Sequence, residues 1–244
     1  MEWVTETGST NRDLLERAQA GEAEGVVRAA EHQTAGRGRR GRSWQDVPGA
    51  SLMVSVLLRP ALAPARIHTL TMAWAVAAAE ACEAAAGVAP QLKWPNDLLV
   101  GERKLAGILA ESVVVGGRID AVVIGMGLNA NWPGELPAEL AGIATALNRE
   151  CGREVDREEL LIELLTRFEP LYAALGGEAG QADLLARYRR RSATLGRQVR
   201  IELDGGQLEG HALDVTPEGH LLVQVGDAVR EVAAGDVVHL RPQG

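Results

Sequence analysis

The sequence predicts an α+β protein: a mixed, largely antiparallel sheet flanked by helices, followed by a small β-barrel. Three observations carry this. Apolar strand-like runs are joined by tight glycine turns, as at Gly116-Gly117. Three longer stretches, 64–87, 157–175 and 181–191, have helical pattern or composition. From Gly196 the pattern changes to short alternating runs separated by turns, which suits a small barrel.

The elements follow in order. Thr10, with Asp13 three residues on, reads as a helix start, and Gly21 closes that short helix. Val26 to Glu31 reads as a strand, and Ser51 to Leu58 is a second, bounded by Pro60. Pro64 opens an Ala-rich helix that ends at Gly87, with proline in the first turn and glycine past the end. Leu92 to Val100 is a strand interrupted at Pro95-Asn96-Asp97, and Leu105 to Val115 is a long one. The Gly116-Gly117 hairpin leads into Ile119 to Gly125, so the sheet is at least partly antiparallel, with helices on one side. Late in the chain, runs at 199–203, 208–212, 221–225 and 237–240 are divided by turns at Asp204-Gly-Gly, Pro217-Glu-Gly and Gly226-Asp. The expected division is 1–192 for the larger domain and 193–244 for the small barrel, which needs the main domain to lean on.

Bulk composition narrows the function. The chain has 244 residues, 46% apolar and 24% charged, as in a soluble globular protein. Its formal charge of −8 argues against a nucleic-acid surface. Cys82 and Cys151 are far apart with no Cys-x-x-Cys pair, which points to a reducing compartment without a zinc or disulfide framework. The N-terminus lacks a signal-peptide pattern, and the most apolar stretch, 73–86, is too short to span a bilayer. A cytoplasmic location is expected.

Against that acidic background, Gly36 to Arg42 packs four arginines and three glycines into seven residues, with Trp44 just beyond. Arginines at that density repel, and glycines hold neither helix nor strand. The loop is therefore expected to be mobile until an anion joins guanidiniums suited to two-pronged binding of phosphate or carboxylate. An RNA-binding Arg-Gly segment is the other reading. Such segments come in long repeats, whereas this one is single and sits between two buried strands.

Three further groups bear chemistry. Lys93-Trp94-Pro95-Asn96-Asp97 and Lys104-Leu105-Ala106-Gly107 put cations, an amide and a carboxylate near one strand end, suited to a phosphate and its metal ion. Gly125-Met-Gly127-Leu-Asn129-Ala130 matches a dinucleotide fingerprint in form, but no helix begins there; its glycines instead let backbone approach a ligand, with Asn129 offering an amide. Ser9-Thr10-Asn11 supplies three hydrogen-bonding groups where one cap suffices. The five histidines show no ligand spacing.

Together Ser9 to Asn11, Gln33 to Trp44, Lys93 to Asp97, Lys104 to Ile108 and Gly125 to Asn129 resemble the biotin protein ligases, in family order across nearly the whole chain. The resemblance implies the class II aminoacyl-tRNA synthetase/biotin synthetase-like fold with an SH3-like C-terminal barrel. It implies biotin contacts from Ser9, Thr10, Asn11, Gln33, Gly36, Arg37, Gly38, Arg39, Lys104 and Gly107. It implies ATP contacts from Arg39, Arg42, Trp44, Lys93, Asn96, Asp97, Lys104 and Asn129, with Mg²⁺ alongside and no residue assigned to the metal. Lys104, Arg39 and Asp97 become the catalytic candidates, Asp97 as proton acceptor. Biotin and ATP would give biotinyl-5′-AMP and pyrophosphate, and a lysine of a biotin carboxyl-carrier protein would take the biotinyl group. Where some relatives stack an aromatic on adenine, the segment Gly142-Ile143-Ala144 has only Ile143.

The chain starts almost at the catalytic part, without a helix-turn-helix module, so it is not expected to bind DNA as a repressor. A monomer or homodimer is expected. The rival enzyme is a lipoate or octanoate ligase of the same fold, which lacks the arginine loop. The rival of another class is the RNA-binding reading.

Overall fold

The computed structural model describes residues 1–45, 47–203 and 205–240. Strand β1 (Glu2–Thr7), helix α1 (Thr10–Gln19) and strands β2 (Val27–Gln33) and β3 (Ser51–Leu58) come first. Helix α2 (His68–Ala86) and strands β4 (Gln91–Lys93), β5 (Asp97–Val100), β6 (Arg103–Val115) and β7 (Arg118–Asn129) follow. Helices α3 (Ala138–Ala141), α4 (Leu147–Cys151), α5 (Arg157–Ala174) and α6 (Glu178–Arg191) precede strands β8 (Gln198–Leu203), β9 (Gly206–Val215), β10 (Leu221–Val225), β11 (Ala228–Val232) and β12 (Asp236–His239).

The first sheet has the order β1-β2-β3-β7-β6-β5-β4, parallel only between β1 and β2. Strand β3 is buried along its whole length because both faces are covered. Alternation sends Leu52, Val54, Val56 and Leu58 toward α2 and α5, while Leu57 meets Leu14 and Ala18 of α1. Helices therefore lie on both faces, not on one side. The reason is that α1, though only ten residues long, carries its own small apolar stripe. Helix α2 is apolar nearly all round and is buried accordingly, with Trp74 edge-on to Phe168 at 4.7 Å. It begins at His68, because Pro64–Arg66 forms a separate 3-10 turn, and it stops at left-handed Gly87.

The β6–β7 turn is the two-residue hairpin the sequence predicts, with Gly116 and Gly117 both at positive φ. Strand β7 continues to Asn129, past the expected end, because β3 and β6 pair with it on either side. Helix α1 lacks the expected cap. Ser9 occupies the cap position without a side-chain bond, and the Asp13 carboxylate instead accepts from Thr7 Oγ1 at 2.8 Å and Arg28 Nε at 3.0 Å. A cation outcompetes a backbone amide for that carboxylate.

The second sheet is antiparallel, with order β11-β10-β9-β8-β12, and fits an SH3-like fold. Strand β11 escaped the sequence reading because four of its five residues are exposed, leaving no clear alternation. The turn expected at Asp204 involves a residue outside the described ones. Trp94 Nε1 donates to the Gly219 carbonyl at 3.0 Å, and Val199, Ile201 and Leu221 join the main core, so this sheet leans on the larger one. Among the described residues no helix is long and apolar enough to cross a membrane.

Candidate active site

The site lies on the α1 face of the first sheet. Gly107 and Gly127 are direct partners across β6 and β7, leaving a bare strip where neighbouring positions carry side chains. A Cβ at Gly127 would stand 2.5 Å from the Trp44 ring, and one at Gly107 would stand 3.1 Å from it. A Cβ at Gly125 would strike the Asn11 amide oxygen at 1.9 Å. The glycines expected to bring backbone to a ligand thus first admit the chain's own Trp44 and Asn11. Above this floor is a cavity of about 120 Å³.

One end of the cavity is a hydrogen-bonding network of uncharged side chains on the start of α1, the end of β2 and the middle of β3, backed by Glu111 of β6. The Gln33 amide oxygen accepts from Thr10 N at 2.8 Å and Thr10 Oγ1 at 3.0 Å. The fully buried Ser55 hydroxyl lies 2.7 Å from Thr10 Oγ1 and 2.6 Å from Asn11 Oδ1. Asn11 Nδ2 donates to Glu111 Oε2 at 2.8 Å, which sets its amide orientation. Buried groups this well paired hold fixed directions.

The other end is cationic. The arginine stretch is a small hairpin: Trp44 N donates to the Gly36 carbonyl at 3.0 Å, and Gly38 N donates to Arg42 O at 2.7 Å. Its tip turns at Arg40, the one non-glycine residue at positive φ (54°) among the described residues. One anion close to the hairpin comes from the protein itself. Asp236, at the start of β12, lies 3.4 Å from Arg39, 3.9 Å from Arg40 and 2.5 Å from Arg42. These contacts dock the hairpin on the C-terminal sheet. Burial lowers the Arg39 pKa from its usual value, against the pull of Asp236 and Asp97. Arg37 faces Glu111 at 3.7 Å.

Between the two ends stands Lys104. Its Nζ is 2.7 Å from Asp97 Oδ1 and 5.6 Å from the centre of the Trp44 ring. Backbone bonds to Ile143 and Thr145 run along both sides of Lys104, so the 142–144 segment borders it, with Ile143 largely exposed. Asn96 accepts from Arg39 at 3.2 Å and donates to the Ile108 carbonyl at 2.7 Å.

Of the residues singled out in the sequence, Ser9, Thr10, Asn11, Gln33, Arg37, Gly38, Arg39, Arg42, Trp44, Asn96, Lys104 and Gly107 line the cavity. Gly36, Lys93, Asp97 and Asn129 do not. Gly36 pairs with Trp44 backbone, and Asp97 stands behind Lys104. Lys93 is half-buried, and its charge is felt by His239. The amide of Asn129, expected to face a ligand, is buried and donates to the Thr145 carbonyl at 2.9 Å. The 145–148 segment covers that end of β7, with Asn148 N donating to the Ala130 carbonyl at 2.9 Å. Sequence reasoning missed Ser43, Ile108, Leu109 and Met126 on the lining, and Ser55, Glu111 and Asp236 beside it. Alternation along β3 and β6 could have placed Ser55 and Glu111 on this face; nothing local marks Asp236.

Comparison with known proteins agrees with this architecture. Residues 4–129 match the model of the Biotin/lipoate A/B protein ligase family, and residues 194–240 match that of the Biotin protein ligase C terminal domain. The chain is 41% identical to a biotin–[acetyl-CoA-carboxylase] ligase of Mycobacterium tuberculosis, over 98% of this chain and 88% of that protein. It is 34% identical to the ligase of the same name from Paracoccus denitrificans, over 94% and 95%. The structure of a biotin protein ligase from Aquifex aeolicus in complex with biotin and ATP has the same fold, with a TM-score of 0.84 and 27% identity, covering 98% of both chains. By sequence, fold and both of its matched segments, this chain belongs to the biotin/lipoate A/B protein ligase family.

Proposed function

We propose that the chain activates biotin with MgATP to biotinyl-5′-AMP and pyrophosphate, then transfers the biotinyl group to a lysine of the biotin carboxyl-carrier protein of a carboxylase. The observation that carries this is the polarity of the cavity: a neutral hydrogen-bonding end at Thr10, Asn11, Gln33 and Ser55, and a cationic end at Arg39, Arg42 and Lys104. Biotin has that polarity, an uncharged ureido head and a carboxylate tail. In this reading residues 1–192 are the catalytic part, residues from 193 the small C-terminal part, and the cytoplasm is the location.

In the first step the biotin carboxylate oxygen attacks the α-phosphorus of ATP, and the bond to pyrophosphate breaks. Two anions must meet. At ~4 Å and an effective dielectric of ~20, their repulsion is about 4 kcal/mol, on the order of a thousandfold in rate. Lys104 and Arg39 supply the opposing charge from fixed positions, and the magnesium ion arrives with the nucleotide as part of the substrate. Asp97 holds the Lys104 ammonium in place at 2.7 Å. In the second step the acceptor amine attacks the acyl carbon, AMP leaves, and the amine proton needs an acceptor; we assign that role to Asp97.

Pyrophosphate release tests the reading, with MgATP and either biotin or lipoate. Release with biotin, together with a joint rise in melting temperature larger than either ligand gives alone, is expected. Release with lipoate and none with biotin would assign the chain to lipoate chemistry instead.

A further inference from the structure

Three guanidiniums converge on one carboxylate that the chain reaches only some two hundred residues later. Asp236 accepts from Arg39 and Arg42 and faces Arg40, while its own side chain is 19% exposed. Two carbonyls of the same sheet reinforce the contact: Gly235 O accepts from Arg39 at 3.3 Å and Glu202 O from Arg40 at 3.2 Å. Gly235 matters here because a Cβ on it would meet Ile201 at 2.6 Å, so a larger residue would push the Asp236 corner off β8.

Each guanidinium carries more N–H donors than its share of one carboxylate can take. Asp236 therefore orients the arginines without exhausting them, and Arg39 and Arg42 still line the cavity. Without that carboxylate the repulsion among the three cations would lose its nearest shared counter-charge. We propose that Asp236 is a positioning residue that latches the arginine hairpin over the site, so that the C-terminal sheet governs how long the activated intermediate is kept. This rests on the function proposed above. The opposite role, a carboxylate that competes with substrate phosphate for the same guanidiniums, predicts the opposite sign in the experiment below.

The test uses the full chain with Asp236→Asn, which is isosteric and uncharged, and Asp236→Glu, which restores the charge. In the unliganded protein, trypsin should cut at the hairpin arginines about tenfold faster in Asp236→Asn than in the native chain, and Asp236→Glu should recover most of the protection. Intermediate formed in place from biotin and MgATP should leave Asp236→Asn about tenfold faster and label bystander lysines. Adding salt should speed its release from the native chain more than from Asp236→Asn. Melting temperatures of the three proteins serve to separate latch loss from unfolding. If Asp236→Asn proves unstable, Arg42→Gln removes the shortest of these ion pairs from the hairpin side and should show faster cutting at the remaining hairpin arginines. Unchanged cutting and retention, or tighter ATP binding with retention intact, would overturn the latch. Absence of pyrophosphate release by the native chain would defeat the proposed function instead, and the trypsin result would still decide the latch.

Discussion

Trp44 lies across Gly127, with a Cβ at residue 127 falling 2.5 Å from its ring. Gly107 stands directly opposite on the neighbouring strand, so the indole rests on a paired gap in the sheet. Gly127→Ala should lift Trp44 and with it the C-terminal arm of the arginine hairpin. Overpacking of this kind costs about 1–3 kcal/mol. Biotin affinity by calorimetry should fall at least about tenfold while the strand itself persists; unchanged affinity would show that the indole has another seat.

Lys104→Ala should lower the rate of adenylate formation by on the order of a thousandfold, the size of the repulsion it offsets. Its pair with Asp97 is partly exposed, so folding stability should change by less than about 1 kcal/mol. Pyrophosphate release and chemical denaturation measure the two effects separately. Native-like release would remove Lys104 from the mechanism.

Arg39→Gly takes away a lining cation and one partner of Asp236. The intermediate should then escape and biotinylate lysines on an unrelated protein added to the reaction. Tight retention in that variant would count against a hairpin that closes the site.

Ser55→Ala probes the neutral end. Its hydroxyl is fully buried between Thr10 and Asn11, and removing it leaves an amide oxygen short of a partner. A stability loss of about 1–3 kcal/mol is expected, together with weaker biotin binding and an unaltered KM for ATP. A rise in the ATP KM alone would place Ser55 in the wrong half of the cavity.

His239 should make the fold acid-sensitive. Burial first, then the charges of Lys93 and Arg197, lower its pKa to about 4 from an ordinary 6.5. Above pH 6.5 it is neutral in both folded and unfolded chains. Between 6.5 and about 4 the unfolded chain takes up a proton that the folded one refuses, so stability falls as the pH falls through that window. Urea unfolding at several pH values should show a shallower slope in His239→Gln. Equal slopes in both proteins would contradict this assignment.

Much of this protein was legible in its residues. Ser51–Leu58 and Leu221–Val225 have the same bounds in the structure as in the sequence reading, because apolar runs between turn residues have few other ways to bury themselves. Ser9 to Asn11, the arginine stretch and Lys104 also announced themselves, since chemistry held within a few residues leaves a local signature. Less legible were β1, which the sequence reading did not assign, β11, whose exposed residues lack alternation, and the role of Asp13, which turns to Arg28 instead of capping although α1 starts at Thr10 as expected.

The sequence by itself determined most of the strands, the long helices and the family's local motifs, all of which follow from neighbours along the chain. Tertiary structure alone decided that Ser55 and Glu111 complete the polar end, that the Asn129 amide goes to Thr145, and that Asp236 faces Arg39, Arg40 and Arg42. The physical reason is range. A cap or turn is settled within a few residues. A carboxylate that meets a guanidinium across two sheets depends on strand register and on how the second sheet leans against the first, and no local spacing records either.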